Sequence, residues 1–245
     1  MIDAVAELRA QVEDFRVKFT LAKQEIGEEI PWYPYDSLSS FDVTAMLLYK
    51  DMLAMSSGHR ILDMACADGA NSFFLASLGF GVDAVDYPGT NYNRMRGVRA
   101  LADYFRSDVT IHSMDLDSQF QLPRQDYGLA LFLGILYHLK NPFFALEQLA
   151  RSAKYCFLSS RIAKFDPSKT HLIETIPVAY LVSPNETNND STNFWIFSKA
   201  GLIRLLERTG WQVCEFRHFG NVIDSDPASS AGDERAFCVL KSKAR

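Results

Sequence analysis

The sequence predicts an α/β domain built on a doubly wound, mostly parallel sheet, and three observations carry that expectation. The first is the stretch from Arg60 to Asp86. A short apolar strand ends at Asp63, Met64 to Gly69 forms a turn of small residues, Phe73, Phe74, Leu75 and Leu78 make one helix face, and a strand from Val82 to Val85 ends on Asp86. The second is the apolar run from Tyr127 to Leu136, which suits a central strand covered on both faces. The third is size: 245 residues with 48% hydrophobic content suffice for one α/β core with some chain left for a cap.

In chain order, residues 4–30 place Val5, Leu8, Val12, Phe15, Phe19, Ala22 and Ile26 at alternating intervals of three and four. That is one amphipathic helix with a narrow stripe. The stripe braces or covers the core; a dimer contact is the second reading. Ile30 to Leu38 then sets Trp32, Tyr33 and Tyr35 around two prolines, either as a pinned linker or as an aromatic wall for an acceptor. Ser40 caps a helix through Ala45, Leu47, Leu48 and Leu53 that Gly58 ends, so residues 1–57 form a helical extension and 58–245 the main domain.

After Asp86 the chain reads as a turn, a helix over Asn93 to Phe105, and a third strand from Val109 to His112. The fourth strand is followed by a helix over Phe143 to Ala153 and a fifth strand from Tyr155 to Leu158. Residues 160–197 are too long for a bare connection and form a substrate-side insertion or a flexible cover. Ser198 caps the next helix, which Gly210 ends, and Trp211 to Phe219 and Arg235 to Leu240 are the last strands.

Composition narrows the function classes. A net charge of −5 opposes a nucleic-acid partner, because phosphate contacts need a basic face. The cluster Arg94 to Arg99 reads as a solvated helix face. No stretch is apolar enough to span a bilayer and no signal sequence opens the chain, so a cytoplasmic location is expected. Cys66, Cys156, Cys214 and Cys238 lack metal-binding spacing; no metal is expected, and three of them sit in strand-like runs that suit buried thiols.

At Asp63, Ala65, Ala67 and Gly69, with Asp86 at the next strand end, the chain resembles the class I S-adenosylmethionine-dependent methyltransferases. Their motif D-x-G-x-G-x-G carries glycines where Ala65 and Ala67 stand here, so this loop is either right-handed at those positions or strained. The resemblance implies a Rossmann-like seven-stranded sheet of order 3-2-1-4-5-7-6 with helices on both faces, and S-adenosylmethionine as cofactor. By the same likeness Asp86 accepts from the ribose, Asp115 and Leu116 face the adenine, Tyr137 touches the reactive end, and Tyr87 and Leu133 are further cofactor contacts. The run Leu133 to Pro142 is similar to the strand-four loop of the bacterial tRNA carboxymethyltransferase family, whose carboxylated cofactor is read by basic residues. Arg235 matches one such position, and the Trp32–Leu38 segment offers no matching lysine.

Methyl transfer depends on alignment, and a protic acceptor also needs a base. His138 is the first candidate, with Tyr137 beside it; His112 and Glu174 are weaker ones. Trp32, Tyr33, Tyr35, Glu174, Asn193, Trp195 and Arg235 are candidate acceptor contacts. The expected activity is methyl transfer to a small molecule by a monomer or homodimer away from membranes. A tRNA-modifying methyl or carboxymethyl transferase, and an inactive cofactor- or partner-binding module suggested by Ala65 and Ala67, are the alternatives.

Overall fold

In a computed structural model the chain is described over residues 2–41, 54 and 56–244. The predicted helix from Ser40 through Leu53 lies almost wholly outside the described residues. Two compact units are present, Met1–Leu131 and Phe132–Arg245.

The first unit opens with α1 (Ile2–Ile26). The helix stops short of residue 30 because Gly27 turns left-handed (φ 106°) while its N–H closes on the Lys23 carbonyl. Leu8, Val12, Phe15, Phe19 and Ala22 are all buried, as the spacing predicts. The strands are β1 (Ile61–Met64), β2 (Val82–Asp86) and β3 (Val109–Ser113), parallel in the order β3-β2-β1, followed by β4 (Tyr127–Leu133). α2 (Ala70–Ser77) links β1 to β2 and α3 (Arg96–Phe105) links β2 to β3. Phe15 meets the rings of Phe74 on α2 and Phe105 on α3 at 5.6 and 5.8 Å, so the stripe of α1 is satisfied within its own unit. α3 begins three residues later than predicted, since Arg94 and Met95 are both left-handed. At the amino ends of the strands Asp83 is buried and receives Arg60 Nε at 3.1 Å and the Tyr127 hydroxyl at 2.8 Å, with His112 Nε2 3.5 Å away.

In the second unit, β4 ends at Leu133 rather than Leu136, because Gly134 turns left-handed (φ 70°) and Leu136–His138 close a 3-10 turn. Asn141 caps α4 (Pro142–Ser152), accepting from Phe144 N, and β5 (Ala153–Ala163) is far longer than the predicted Tyr155–Leu158. The proposed insertion therefore starts inside a strand. It contributes β6 (Ala179–Leu181) and β7 (Trp195–Ser198), an antiparallel pair in which β7 also runs parallel to Ile162 and Ala163. Ser198 caps α5 (Lys199–Arg208) by accepting from Gly201 N at 2.9 Å. The closing strands β8 (Trp211–Gly220) and β9 (Glu234–Ser242) are antiparallel neighbours, and β9 pairs antiparallel with β5. The family order thus appears as β3-β2-β1-β4 in one unit and β5-β9-β8 in the other, with β6 and β7 as additions. Cys66, Cys156 and Cys238 are buried, whereas Cys214 on β8 is exposed.

Candidate functional site

The loop between β1 and α2 shows how two alanines serve where glycines are expected. Ala65 (φ 59°), Ala67 (φ 55°) and Gly69 (φ 82°) are all left-handed. Of the two conformations open to the loop, the strained one is realised. A left-handed alanine costs about 1–2 kcal/mol relative to its right-handed state, so the loop keeps a glycine-like path at some expense. At Gly69 no alanine fits, because a Cβ would lie 2.8 Å from the Phe73 ring and 2.9 Å from Val98. Ala67→Gly is expected to raise stability by about 0.5–1 kcal/mol in urea unfolding, relief of strain outweighing the entropy added to the unfolded chain.

What holds the strained loop is visible in its hydrogen bonds. Asp86 Oδ2 accepts from Ala67 N at 2.8 Å and Oδ1 from Tyr87 N at 2.7 Å. Burial raises the Asp86 pKa and these two amides oppose the rise. Asp63 is fully buried and accepts from Ser72 Oγ at 2.6 Å; burial, with the Asp86 charge adding to it, pushes its carboxyl up to about 7. Tyr87 is partly exposed, and Leu116 is buried while Asp115 Oδ1 closes a short turn on Asp117 N. Asn71, in the first turn of α2, is buried with its Oδ1 unpartnered among the described residues.

Sequence reasoning passed over Asp68, which is the hub of this region. Its Oδ2 accepts from Lys23 Nζ at 2.7 Å and Tyr33 N at 2.9 Å, and its Oδ1 from Asn93 Nδ2 at 2.7 Å. One buried carboxylate so ties α1, the Trp32–Tyr35 segment and the approach to α3 to the loop. Nothing local signals the pairing of Lys23 and Asp68, 45 positions apart. The aromatic segment is also engaged. Trp32 Nε1 donates to the Gly27 carbonyl at 3.1 Å, and Lys23 Nζ stands 5.2 Å from its ring. The Tyr33 hydroxyl accepts from Tyr92 N at 2.9 Å, and its ring meets Tyr35 edge-on. Tyr35 alone of the three is largely exposed. His112 turns its Nε2 toward Asp83, 3.5 Å away.

In the second unit Tyr137, His138, Thr192 and Arg235 come together. The Tyr137 hydroxyl accepts from Arg235 Nη1 at 3.2 Å, and Gly134 beside it leaves a Cβ position 3.7 Å from that hydroxyl. His138 packs on Tyr137 with ring centroids 4.3 Å apart. Its Nδ1 lies 2.9 Å from Thr192 Oγ1 and 3.2 Å from the Thr192 carbonyl. Thr192 Oγ1 already donates to Asp190 Oδ1, so both threonine oxygens can only accept from the ring. That assigns the proton to Nδ1 and leaves the Nε2 lone pair as the basic one. Burial lowers the His138 pKa below its ordinary 6.5, so the ring is neutral at pH 7.

Behind Arg235 stands a relay that the sequence did not disclose. Arg161 faces Arg235 across β5 and β9, and Asp233 lies between them, 3.6 Å from Arg161 Nε and 3.3 Å from Arg235 Nε. Asn193 is buried and pinned to Thr187 through its Nδ2; Trp195 Nε1 is buried without a partner among the described residues. Glu174 departs from the group: its carboxylate faces Lys199 at 3.7 Å, at the start of α5. Leu133 closes β4 with partial exposure.

Comparisons with known proteins fit this geometry. Residues 41–140 match the family described as Tellurite resistance protein TehB. The N-terminal domain of EvdMO1, crystallised in the presence of SAH and D-fucose, is similar with a TM-score of 0.59 at 18% identity, over 93% of this chain and 96% of that one. The chain has the Rossmann-like methyltransferase fold. The [4+2]-cyclase SpnF is similar at TM-score 0.56 and 12% identity over 88% of each chain. TehB from Haemophilus influenzae matches at TM-score 0.52 and 15% identity, over 84% of this chain and 66% of that one. No curated protein sequence matches the chain. Because the cyclase shares the fold, fold alone does not fix the reaction, and the residues must carry the functional reading.

Proposed function

We propose that this chain is an S-adenosylmethionine-dependent methyltransferase acting on a small molecule. The observation that carries the reading is the Asp63–Gly69 loop, which keeps three left-handed positions although two are alanine. Strain of that kind persists where surrounding structure enforces it, and Asp86 and Asp68 supply the enforcement. The residues fit the cofactor. The loop stays narrow enough for close backbone approach, Asp86 at its edge offers acceptor oxygens, and the Asn71 Oδ1 is free to accept. Asp63, Ala65, Ala67, Gly69, Asp86 and Tyr87 would hold it, with Asp115 and Leu116 at the adenine. When bound, S-adenosylmethionine supplies an electrophilic methyl group for in-line displacement by the acceptor.

In the second unit His138 is the proposed base, and Tyr137 and Arg235 the groups that orient the acceptor. A neutral imidazole with a free Nε2 accepts a proton from a hydroxyl or amine acceptor. The rate is therefore expected to fall as pH drops through a value below 6.5, and His138→Gln is expected to lose that acid limb together with about 10²–10⁴ in kcat. An unchanged pH profile in the variant would remove His138 from the role.

One observation favours a second reading. The Tyr137–Arg235 contact places a cation and a hydroxyl side by side, as recognition of a carboxylated cofactor on a tRNA-modifying enzyme would use. The net charge of −5 weighs against tRNA. Both are tested by incubating the protein with methyl-labelled S-adenosylmethionine and a cell extract separated into small-molecule and RNA fractions. Label in the small-molecule fraction supports the proposal. Label in tRNA supports the second reading, and label in neither would leave methyl transfer without support.

A further inference from the structure

The outer edge of β6 and the groove beneath it belong to none of the chemistry described above. Ser198 N donates to the Val178 carbonyl and Val182 N to the Phe194 carbonyl, each at 3.0 Å. The register between them pairs Ala179 with Phe197, Tyr180 with Ile196 and Leu181 with Trp195. Alternation along an antiparallel ladder then turns the N–H and C=O of both Ala179 and Leu181 away from β7. No hydrogen bond runs to these four groups among the described residues, so β6 presents a short open edge.

Ala179 and Leu181 share one face of the strand, and on that face lies a groove of about 340 Å³. Its apolar lining comes from Phe143, Val178, Phe197 and Leu205. Leu181, next along the edge, is 64% exposed, and Ile176 is 50% exposed. Arg204 and Arg208, one turn apart on α5, complete the lining. Both are exposed, and neither meets a carboxylate among the described residues. An apolar floor, two unpaired cations and an open strand edge within one unit point to an extended chain with acidic side chains. A second copy docking edge to edge would bring the paired arginines of two α5 helices toward one another, which disfavours self-association.

We propose that β6 and its groove bind an extended segment of a partner protein by strand addition, with apolar and acidic side chains both at the every-second positions that face the groove. Main-chain bonds to Ala179 and Leu181 supply the attachment, the groove takes the apolar side chains, and Arg204 and Arg208 select carboxylates. The probe is a fluorescein-labelled peptide in which valine and glutamate take turns at every second position with threonine between them, monitored by anisotropy against the full chain. Saturable binding is expected, weakened about tenfold in R204E/R208E and lost when the peptide is N-methylated on alternate amides. A peptide with lysine for glutamate is expected to bind at least about tenfold more weakly. The N-methylated peptide tests strand addition without touching the protein's own folding. Equal binding of the lysine and N-methylated peptides, no binding of the glutamate peptide, or a concentration-dependent dimer abolished by R204E/R208E would each overturn the proposal. None of these results depends on whether S-adenosylmethionine binds.

Discussion

Asp86→Ala is expected to lower affinity for S-adenosylmethionine at least about a hundredfold while leaving most of the folding stability in place. The two effects separate because the carboxylate has opposing roles. Its oxygens accept from Ala67 N and Tyr87 N, each a charge-assisted bond worth about 1.5–3 kcal/mol, and those bonds hold Ala67 left-handed. Burial of the charge works the other way, as the raised pKa shows, so removing it also removes a desolvation cost. The net loss of stability is then small, about 1–2 kcal/mol, whereas the loop relaxes out of the conformation that fits a ligand. Asp86→Asn keeps an acceptor and is expected to fall between alanine and wild type. Calorimetric affinity alongside urea midpoints checks the pair; parallel losses of affinity and stability would make Asp86 a purely structural residue.

Asp63→Asn carries the second large effect, on the dependence of stability on pH. The folded pKa of about 7 stands above the ordinary 3.8, so the native state holds its proton over a range where the unfolded chain has released it. Its contribution is complete below pH 4, declines as pH rises through about 7, and is flat above that. A gap of that width between folded and unfolded values corresponds to about 4 kcal/mol between the two ends of the window. Asparagine keeps the acceptor for Ser72 Oγ and has no charge to bury. The variant is therefore expected to match wild type near pH 4 and to exceed it at pH 8. Urea unfolding of both proteins at the two pH values measures the double difference, in which titrating groups that do not interact with Asp63 cancel. A constant difference across the range would contradict a buried, protonated Asp63.

Local patterns were the legible part of this chain. The buried stripe of α1 was written in spacings of three and four, and the βαβ unit in its small-residue turn and terminal acid. Ser198 and Gly210 marked the ends of α5 by their own chemistry. The sequence left the handedness of Ala65 and Ala67 open, because the answer lies in Asp86, nineteen residues beyond Ala67, and in its bond to the loop. The length of β5 was hidden for a related reason. Ser159, Ser160 and Arg161 read as the end of a strand, yet Arg161 is buried against backbone carbonyls of Asp226 and Ser229, which no local rule foretells. β6 and β7 were lost in a run rich in Asn, Asp and Pro, whose turns separate two short strands. At the site, Tyr137, His138 and Arg235 were named from the chain, but the partners that tune them were not. Thr192 fixes the histidine tautomer and Asp233 braces the arginine, both through contacts that exist only once the strands have paired.

The central claim is tested most directly by calorimetric titration of the full chain with S-adenosylmethionine, its demethylated product and the carboxylated analogue. Micromolar binding of the first two, with no gain for the third and loss in Asp86→Ala, is the predicted result. Absence of binding by all three, or affinities untouched in the variant, would contradict it.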